Sequence, residues 1–271
     1  DARRRQRLIQ LAQQRGAAPN ASIPQACGSH AQTKAAYRFY DNDAIKPEAI
    51  LLSHQKATVE RMADESLVLA IQDTTELDYT HHPATKGLGT LHDTKHQGLL
   101  MHTTLAVTVL RVPLGVIQQQ VWTRPAEEFG KKHTRKQRPI EEKESYKWLT
   151  SLQATAQLQQ QLPHTQLVSV GDREADIYEL FVQANDLSQD ILVRASWNRC
   201  VNHPQKYLWD HLQSRPLAGT LTITVPRKQN QPQREATLSI RYVKVTLRPP
   251  QRPKGQKLPS ITVWAVYALE E

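Results

Sequence analysis

In the stretch LVSVGDREADIYEL, residues 167–180, an alternating apolar run stops at Gly171 and is followed by Asp172, Arg173, Glu174 and Asp176 before apolar periodicity resumes. Alternation over Leu167–Val170 predicts a short strand, and ADIYELFVQAN predicts the helix after it. Asp172 therefore stands at the C-terminal end of a strand. Two readings of it are open: a turn residue of the kind that ends apolar runs, or a metal ligand. Glu174 and Asp176 are expected in the first turn of the next helix, where its dipole stabilises acids, and Arg173 is expected to pair with one of them. For Asp176 that capping role is the expected one. Glu174 is also placed to support a metal ligand from behind.

Working outward, SLVLAIQDTTEL (66–77) reads as a buried central strand with Asp73 near its end. LLMHTTLAVTVL and PLGVIQQQVW, joined by the short RVP link, read as an antiparallel meander after it. The basic segment RPAEEFGKKHTRKQRP reads as an exposed loop. Its cations, from Arg124 through Lys131, Lys132, Arg135 and Lys136 to Arg138, suit either tracking of phosphates or simple solubilisation. IEEKESYKWLTSLQATAQLQQQL reads as the longest helix, with acids in its first turn.

The order strand, meander, helix, strand lets the strand ending at Asp172 lie parallel beside the one carrying Asp73, since a parallel partner requires a crossover. Both carboxylates then emerge at the same end of neighbouring strands, roughly 4.8 Å apart in the pairing direction. Oxygen-only ligands favour Mg²⁺ or Mn²⁺ over zinc. A half-open carboxylate cage of this kind serves phosphodiester cleavage by metal ions about 3.5–4 Å apart.

The remainder frames that core. Residues 1–62 read as a small helical unit (RLIQLA, AAYRFYDN and PEAILLSHQKATVERM), interrupted by the turn-rich GAAPNASIPQACGS. Residues 63–196 form the α/β part. Residues 197–271 are mainly short β runs, LTITV, ATLSIRYVKVTL and ITVWAVYAL, with one helical segment, KYLWDHLQ. The chain of 271 residues carries a formal net charge of +9, which points to a polyanionic partner, either nucleic acid or an acidic membrane surface. Two distant cysteines, Cys27 and Cys200, with no C-x-x-C pair, argue against a structural zinc and against a disulfide framework. No apolar run is long enough to span a membrane, and DARRRQRL lacks the apolar segment of a secretory leader. A soluble, cytoplasmic protein is expected, and a chain beginning with Asp suggests a fragment.

Four motifs in order resemble the DDE transposases of bacterial insertion sequences, of the IS-four, cut-and-paste type. They are AYRFYDN (36–42) with DARRRQRL, IQDTTEL (71–77), EKESYKWL (142–149) and VGDREADIYE (170–179). The resemblance covers nearly the whole length. It implies an RNase-H-like α/β core interrupted by a β-rich insertion, preceded by a small helical domain that binds transposon ends. It also implies that Asp73 and Asp172 are the first two catalytic, metal-binding carboxylates, served by Mg²⁺ or Mn²⁺. Arg3, Arg4, Arg7 and Arg38 would contact inverted-repeat double-stranded DNA, and Arg194 would face DNA near the active site. A homodimer in a synaptic complex and a nucleoid-associated location follow from the same resemblance.

The sequence departs from the family at the third carboxylate. The Tyr-x-x-Arg-x-x-x-Glu-x-x-x-x-x-x-Lys signature is not found in these 271 residues, and Glu270 and Glu271 are followed by neither helix nor lysine. The resemblance therefore implies a transposase in incomplete form. The alternatives are a truncated, non-catalytic protein that occupies transposon ends or inhibits a full-length relative, and a metal-dependent RNase or repair nuclease on the same core.

Overall fold

The structure is a computed structural model that describes residues 1–125, 127, 130, 138–228, 231–251 and 257–270. The chain divides into two compact units, residues 1–56 and 57–271.

The first unit is built on α1 (Ala2–Ala17), α2 (Ile23–Cys27) and α3 (His30–Tyr40). Each begins at a side chain that satisfies an otherwise orphaned amide. Asp1 accepts from the Arg3 N–H at 2.9 Å, and Ser29 from the Gln32 N–H at 3.3 Å. Ser22 and Gln25 form a reciprocal capping box at α2, which ends at Gly28 in the left-handed region, φ 69°. The composition of residues 16–29 reads as turn alone, yet this box supports a helical turn within it. Leu11, Cys27, Ala36 and Phe39 are buried together, with Leu8, Ile23, Ile45 and Ile50 against them. α4 (Pro47–Met62) follows.

The second unit holds two sheets. In the larger, β1 (Leu67–Asp78) is central. β3 (Gln97–Thr108) pairs antiparallel with β1, and β3 pairs in turn with β4 (Pro113–Trp122) and with the two-residue β2 (Gly89–Thr90). On the other side of β1, β5 (Gln166–Gly171) and β6 (Asp190–Val193) run parallel to it. α5 (Tyr146–Gln159) and α6 (Tyr178–Asp186) supply the crossovers that parallel pairing needs. The architecture is mixed α/β, in the strand order the meander-then-crossover reading expects.

Alternation decides which side of this sheet is covered. Val68, Ala70 and Leu167 pack with Met62, Ile117 and Leu162. Ile191 and Val193 pack with Trp148, Leu149, Leu152, Leu180 and Ala184 of α5 and α6. Ile71 and Leu192, out of phase with these residues, are 36% and 60% exposed.

The second sheet is an antiparallel meander of β7 (Gly219–Val225), β8 (Arg234–Leu247) and β9 (Ile261–Glu270). With α7 (Leu208–Gln213) it shares a core that includes Tyr178 of α6. The buried Tyr178 hydroxyl donates to the carbonyls of Leu247 (3.2 Å) and Pro259 (2.8 Å), tying α6 to the β-rich part. Cys27 and Cys200 are free thiols. Among the described residues no helix is long and apolar enough to cross a membrane.

Two expectations are corrected. The helix expected over residues 140–162 starts only at Tyr146, after a 3-10 turn at Ile140–Glu142, so its first turn carries no acid. Glu144 is instead drawn into an ion pair with Arg124. At 14 residues this helix is also shorter than α1 and α4, at 16 each.

Candidate metal and nucleic-acid sites

The parallel register of β1 and β5 ends with Ile71 beside Val170. Two residues further along each strand come Asp73 and Asp172, so the two aspartates stand at one level, on the side of the sheet that carries Ile71. Both residues are exposed. The row continues on either side. Thr103 lies opposite Asp73 and Gln119 opposite Thr103, with Gln119 Nε2 donating to Thr103 Oγ1 at 3.3 Å. Val193 lies beside Gly171, and the Arg194 N–H donates to the Gly171 carbonyl at 3.1 Å, so the exposed Arg194 falls level with Asp172.

One oxygen of each aspartate is already oriented. Asp73 Oδ1 accepts from the Thr74 N–H and Asp172 Oδ1 from the Glu174 N–H, both at 2.8 Å. These bonds fix where the carboxyl groups point. Two carboxylates on adjacent strands are a donor set that a hard divalent cation could share, with remaining positions for water or phosphate oxygens. The bond from Glu174 is equally what a turn at the strand end requires.

Behind this row the packing is polar and buried. His102 pairs with Thr74 in register, and its Nδ1 lies 2.9 Å from Thr74 Oγ1. The ring is fully buried, 4.6 Å from the Trp148 ring centroid. Burial, and secondarily the positive charge of Lys147, lowers its pKa from 6.5 to about 4. Lys147 is itself buried. Its Nζ lies 5.5 Å from the Trp122 ring centroid, 3.4 Å from Glu174 Oε2 and 3.8 Å from Glu144 Oε1. Thus Glu174 of the acidic run is bound to a lysine of EKESYKWL, a link that neither motif announces alone.

Asp176 corrects the capping expectation. A 3-10 turn, Arg173–Ala175, separates Asp172 from α6, which begins at Tyr178, so Asp176 precedes the helix. Its carboxylate is buried and accepts from the N–H groups of Ser196 (2.7 Å) and Trp197 (2.9 Å). It also accepts from Arg199 Nε (3.0 Å) and Nη2. The cation that Asp176 holds is therefore Arg199, not Arg173, and the contact anchors the chain just past Arg194.

Of the third-carboxylate candidates, Glu270 stands apart from this row by topology. Glu270 ends β9 in the second sheet, where it is ion-paired with Arg234; Glu271 lies outside the described residues. Lys131, Lys132, Arg135 and Lys136 also lie outside them. Arg124 is fully engaged, donating to Glu144 at 2.7 and 2.6 Å and to the Leu91 carbonyl at 3.0 Å.

In the first unit, Arg3, Arg4 and Arg38 are exposed. Arg7 is partly spent inside the unit, donating to Gln10 (2.9 Å) and to Gln32 of α3 (2.6 Å). A shallow groove along α3 is lined by His30, Lys34 and Arg38, spaced one helical turn apart, with Tyr37 and Tyr40 beside them. Tyr37 and Tyr40 are 51% and 56% exposed. Arg38 alone is expected here from the sequence; the four-residue spacing of His30, Lys34 and Arg38 is the signal that marks the other two. Such a face offers cations to phosphates and rings to sugars and bases. Residues 1–45, spanning α1 to α3, match the family model for transposase DNA-binding; the match supports DNA as the partner of this unit and supports a transposase.

Proposed function

We propose that this chain is a DDE-type transposase similar to the IS-four group of bacterial insertion sequences, carrying the first two of three catalytic carboxylates. In this reading residues 1–62 bind transposon ends. Residues 63–196 are the first part of an RNase-H-like core, and residues 197–271 are its β-rich insertion. The observation that carries it is the shared level of Asp73 and Asp172 just past the end of the parallel β1–β5 pairing, Asp73 within β1 and Asp172 directly after β5, in a chain whose first residues match a transposase DNA-binding family. Three antiparallel strands followed by two parallel ones with helical crossovers support the RNase-H-like assignment.

Bound Mg²⁺ or Mn²⁺ would supply an activated water, or later a DNA 3′-hydroxyl, for in-line attack at phosphorus and would neutralise the leaving oxygen. Asp73 and Asp172 hold and orient the ions. Arg194, level with Asp172, neutralises the phosphate drawn to them, while Arg3, Arg4, Arg7 and Arg38 engage the end duplex. In the family the third carboxylate comes from a helix after the β insertion. The exposed Ile71 and Leu192, on the aspartates' side of the sheet, suit an apolar seat for such a helix. Two copies would hold paired ends in a synaptic complex.

The test is a binding titration of labelled end DNA and a scrambled duplex of equal length over a range of salt, followed by a strand-cleavage assay in Mg²⁺ or Mn²⁺. Preference for the end sequence, weakened by salt, is expected, with little strand transfer from the 271 residues alone. Equal binding of both duplexes at every salt concentration refutes end recognition. Robust cleavage abolished by Asp73→Ala would show that the 271 residues already contain a full ligand set.

A non-catalytic protein that occupies transposon ends is the second reading. It rests on the same family match, which covers only residues 1–45.

A further inference from the structure

The connection between β2 and β3 reads L-H-D-T-K-H, residues 91–96. Asp93 Oδ1 accepts from the N–H groups of Lys95 (2.8 Å) and His96 (2.9 Å), closing a tight turn that brings the His92 and His96 rings to 4.3 Å between centroids. His96 Nδ1 lies 2.7 Å from Asp93 Oδ1, and His92 Nε2 lies 3.8 Å from Asp93 Oδ2. One ligand-type atom from each of His92, Asp93 and His96 falls within 4.8 Å of the others.

A second layer orients this group. His92 Nδ1 is 3.3 Å from Glu76 Oε2 on β1. Glu76 is in turn held by Arg124 Nη1 at 3.4 Å, and Arg124 by Glu144. With Nδ1 turned to a carboxylate, His92 presents Nε2 toward Asp93. This is the arrangement by which a carboxylate fixes the tautomer of a metal-bound imidazole.

We propose that His92, Asp93 and His96 form a second metal site, selective for a zinc-class divalent ion (Zn²⁺, Co²⁺ or Ni²⁺), with Glu76 positioning His92. Two imidazoles and one carboxylate suit such borderline ions, whereas Mg²⁺ prefers oxygen alone. The three side chains are 57%, 41% and 38% exposed, so an ion can enter from solvent and keep a water in its fourth position. The site is separate from the aspartate pair. Glu76 lies three residues beyond Asp73 on β1, so by alternation it projects from the opposite side of the sheet. Bound there, the ion would clamp the β2–β3 connection to β1. This inference does not depend on the proposed function.

The test uses the 271-residue chain stripped of metal by chelator dialysis and titrated with Co²⁺, whose visible absorption reports nitrogen ligation, and with Zn²⁺ by calorimetry. With a roughly thousandfold excess of Mg²⁺ present to occupy the oxygen-only aspartate pair, one saturable equivalent is expected. Asp93→Asn and His96→Ala should weaken binding about 100-fold, and Glu76→Gln about 10-fold. Asp73→Asn should leave this equivalent intact, and circular dichroism should show each variant folded. Absence of a saturable equivalent overturns the proposal, as does unchanged binding in the His92→Ala/His96→Ala double variant.

Discussion

His102 makes the packing behind the aspartate row measurable. The ring is fully buried and its pKa falls from 6.5 to about 4, burial being the larger cause and Lys147 the smaller. Because the folded-state value is the lower one, the unfolded chain takes up a proton first as pH falls. His102 therefore costs no stability above pH 6.5, destabilises progressively as pH drops, and reaches its full effect near pH 4. A fall from 6.5 to about 4 corresponds to about 3 kcal/mol at that limit and about 2 kcal/mol at pH 5. The assay is urea unfolding followed by tryptophan fluorescence at pH 7, 6 and 5, for the natural chain and for His102→Leu. The leucine fills similar volume and does not titrate. Its overall stability will differ through the lost Thr74 bond and altered Trp148 contact, but its loss between pH 7 and 5 should be smaller by about 2 kcal/mol. Parallel losses in the two proteins would refute the buried, neutral imidazole.

Three further outcomes follow from named contacts. A Cβ added at Gly171 would lie 2.4 Å from Ala175 Cβ and 3.1 Å from Trp148 Cζ3. Gly171→Ala should thus cost about 1–3 kcal/mol by overpacking, read as a lower urea midpoint at constant slope. Asp176→Ala strands Arg199 without its buried carboxylate and should cost about 3–5 kcal/mol in the same assay, whereas a capping role would cost about 1. Arg38→Ala should lower the salt dependence of DNA binding by about one unit in the log–log slope, with a fold unchanged by circular dichroism.

The larger strands were legible because alternation and short apolar runs mark them directly. β1, β3, β4 and β5 overlap the runs SLVLAIQDTTEL (66–77), LLMHTTLAVTVL (99–110), PLGVIQQQVW (113–122) and TQLVSV (165–170), with β3 starting at Gln97 and ending at Thr108, two residues ahead of its run at each end. β2 was not legible, since two residues carry no period. α2 was hidden because Ser22, Pro24 and Gly28 read as turn composition until the reciprocal Ser22–Gln25 bonding is seen. The start of α5 was misplaced because acids near a helix start resemble dipole partners. Glu144 instead answers Arg124, 20 residues earlier in the chain. Asp176 failed for the same reason at 23 residues' distance from Arg199. Ion pairs between distant segments leave no local pattern. The level of Asp73 and Asp172 was legible because it depends only on strand order and on where each apolar run stops.

Asp73 and Asp172 are proposed to hold jointly the divalent ion of a phosphodiester-cleaving centre. The most direct measurement is a crystal structure of the chain grown with Mn²⁺, with the ion located by its anomalous signal. A peak is expected with an oxygen of Asp73 and an oxygen of Asp172 each roughly 2.0–2.3 Å away, lost in Asp73→Asn. No peak between these carboxylates at saturating Mn²⁺, with both side chains ordered and bonded only to Thr74 and Glu174, would contradict it and leave Asp172 as a strand-end turn residue and Asp73 as an exposed polar residue within β1.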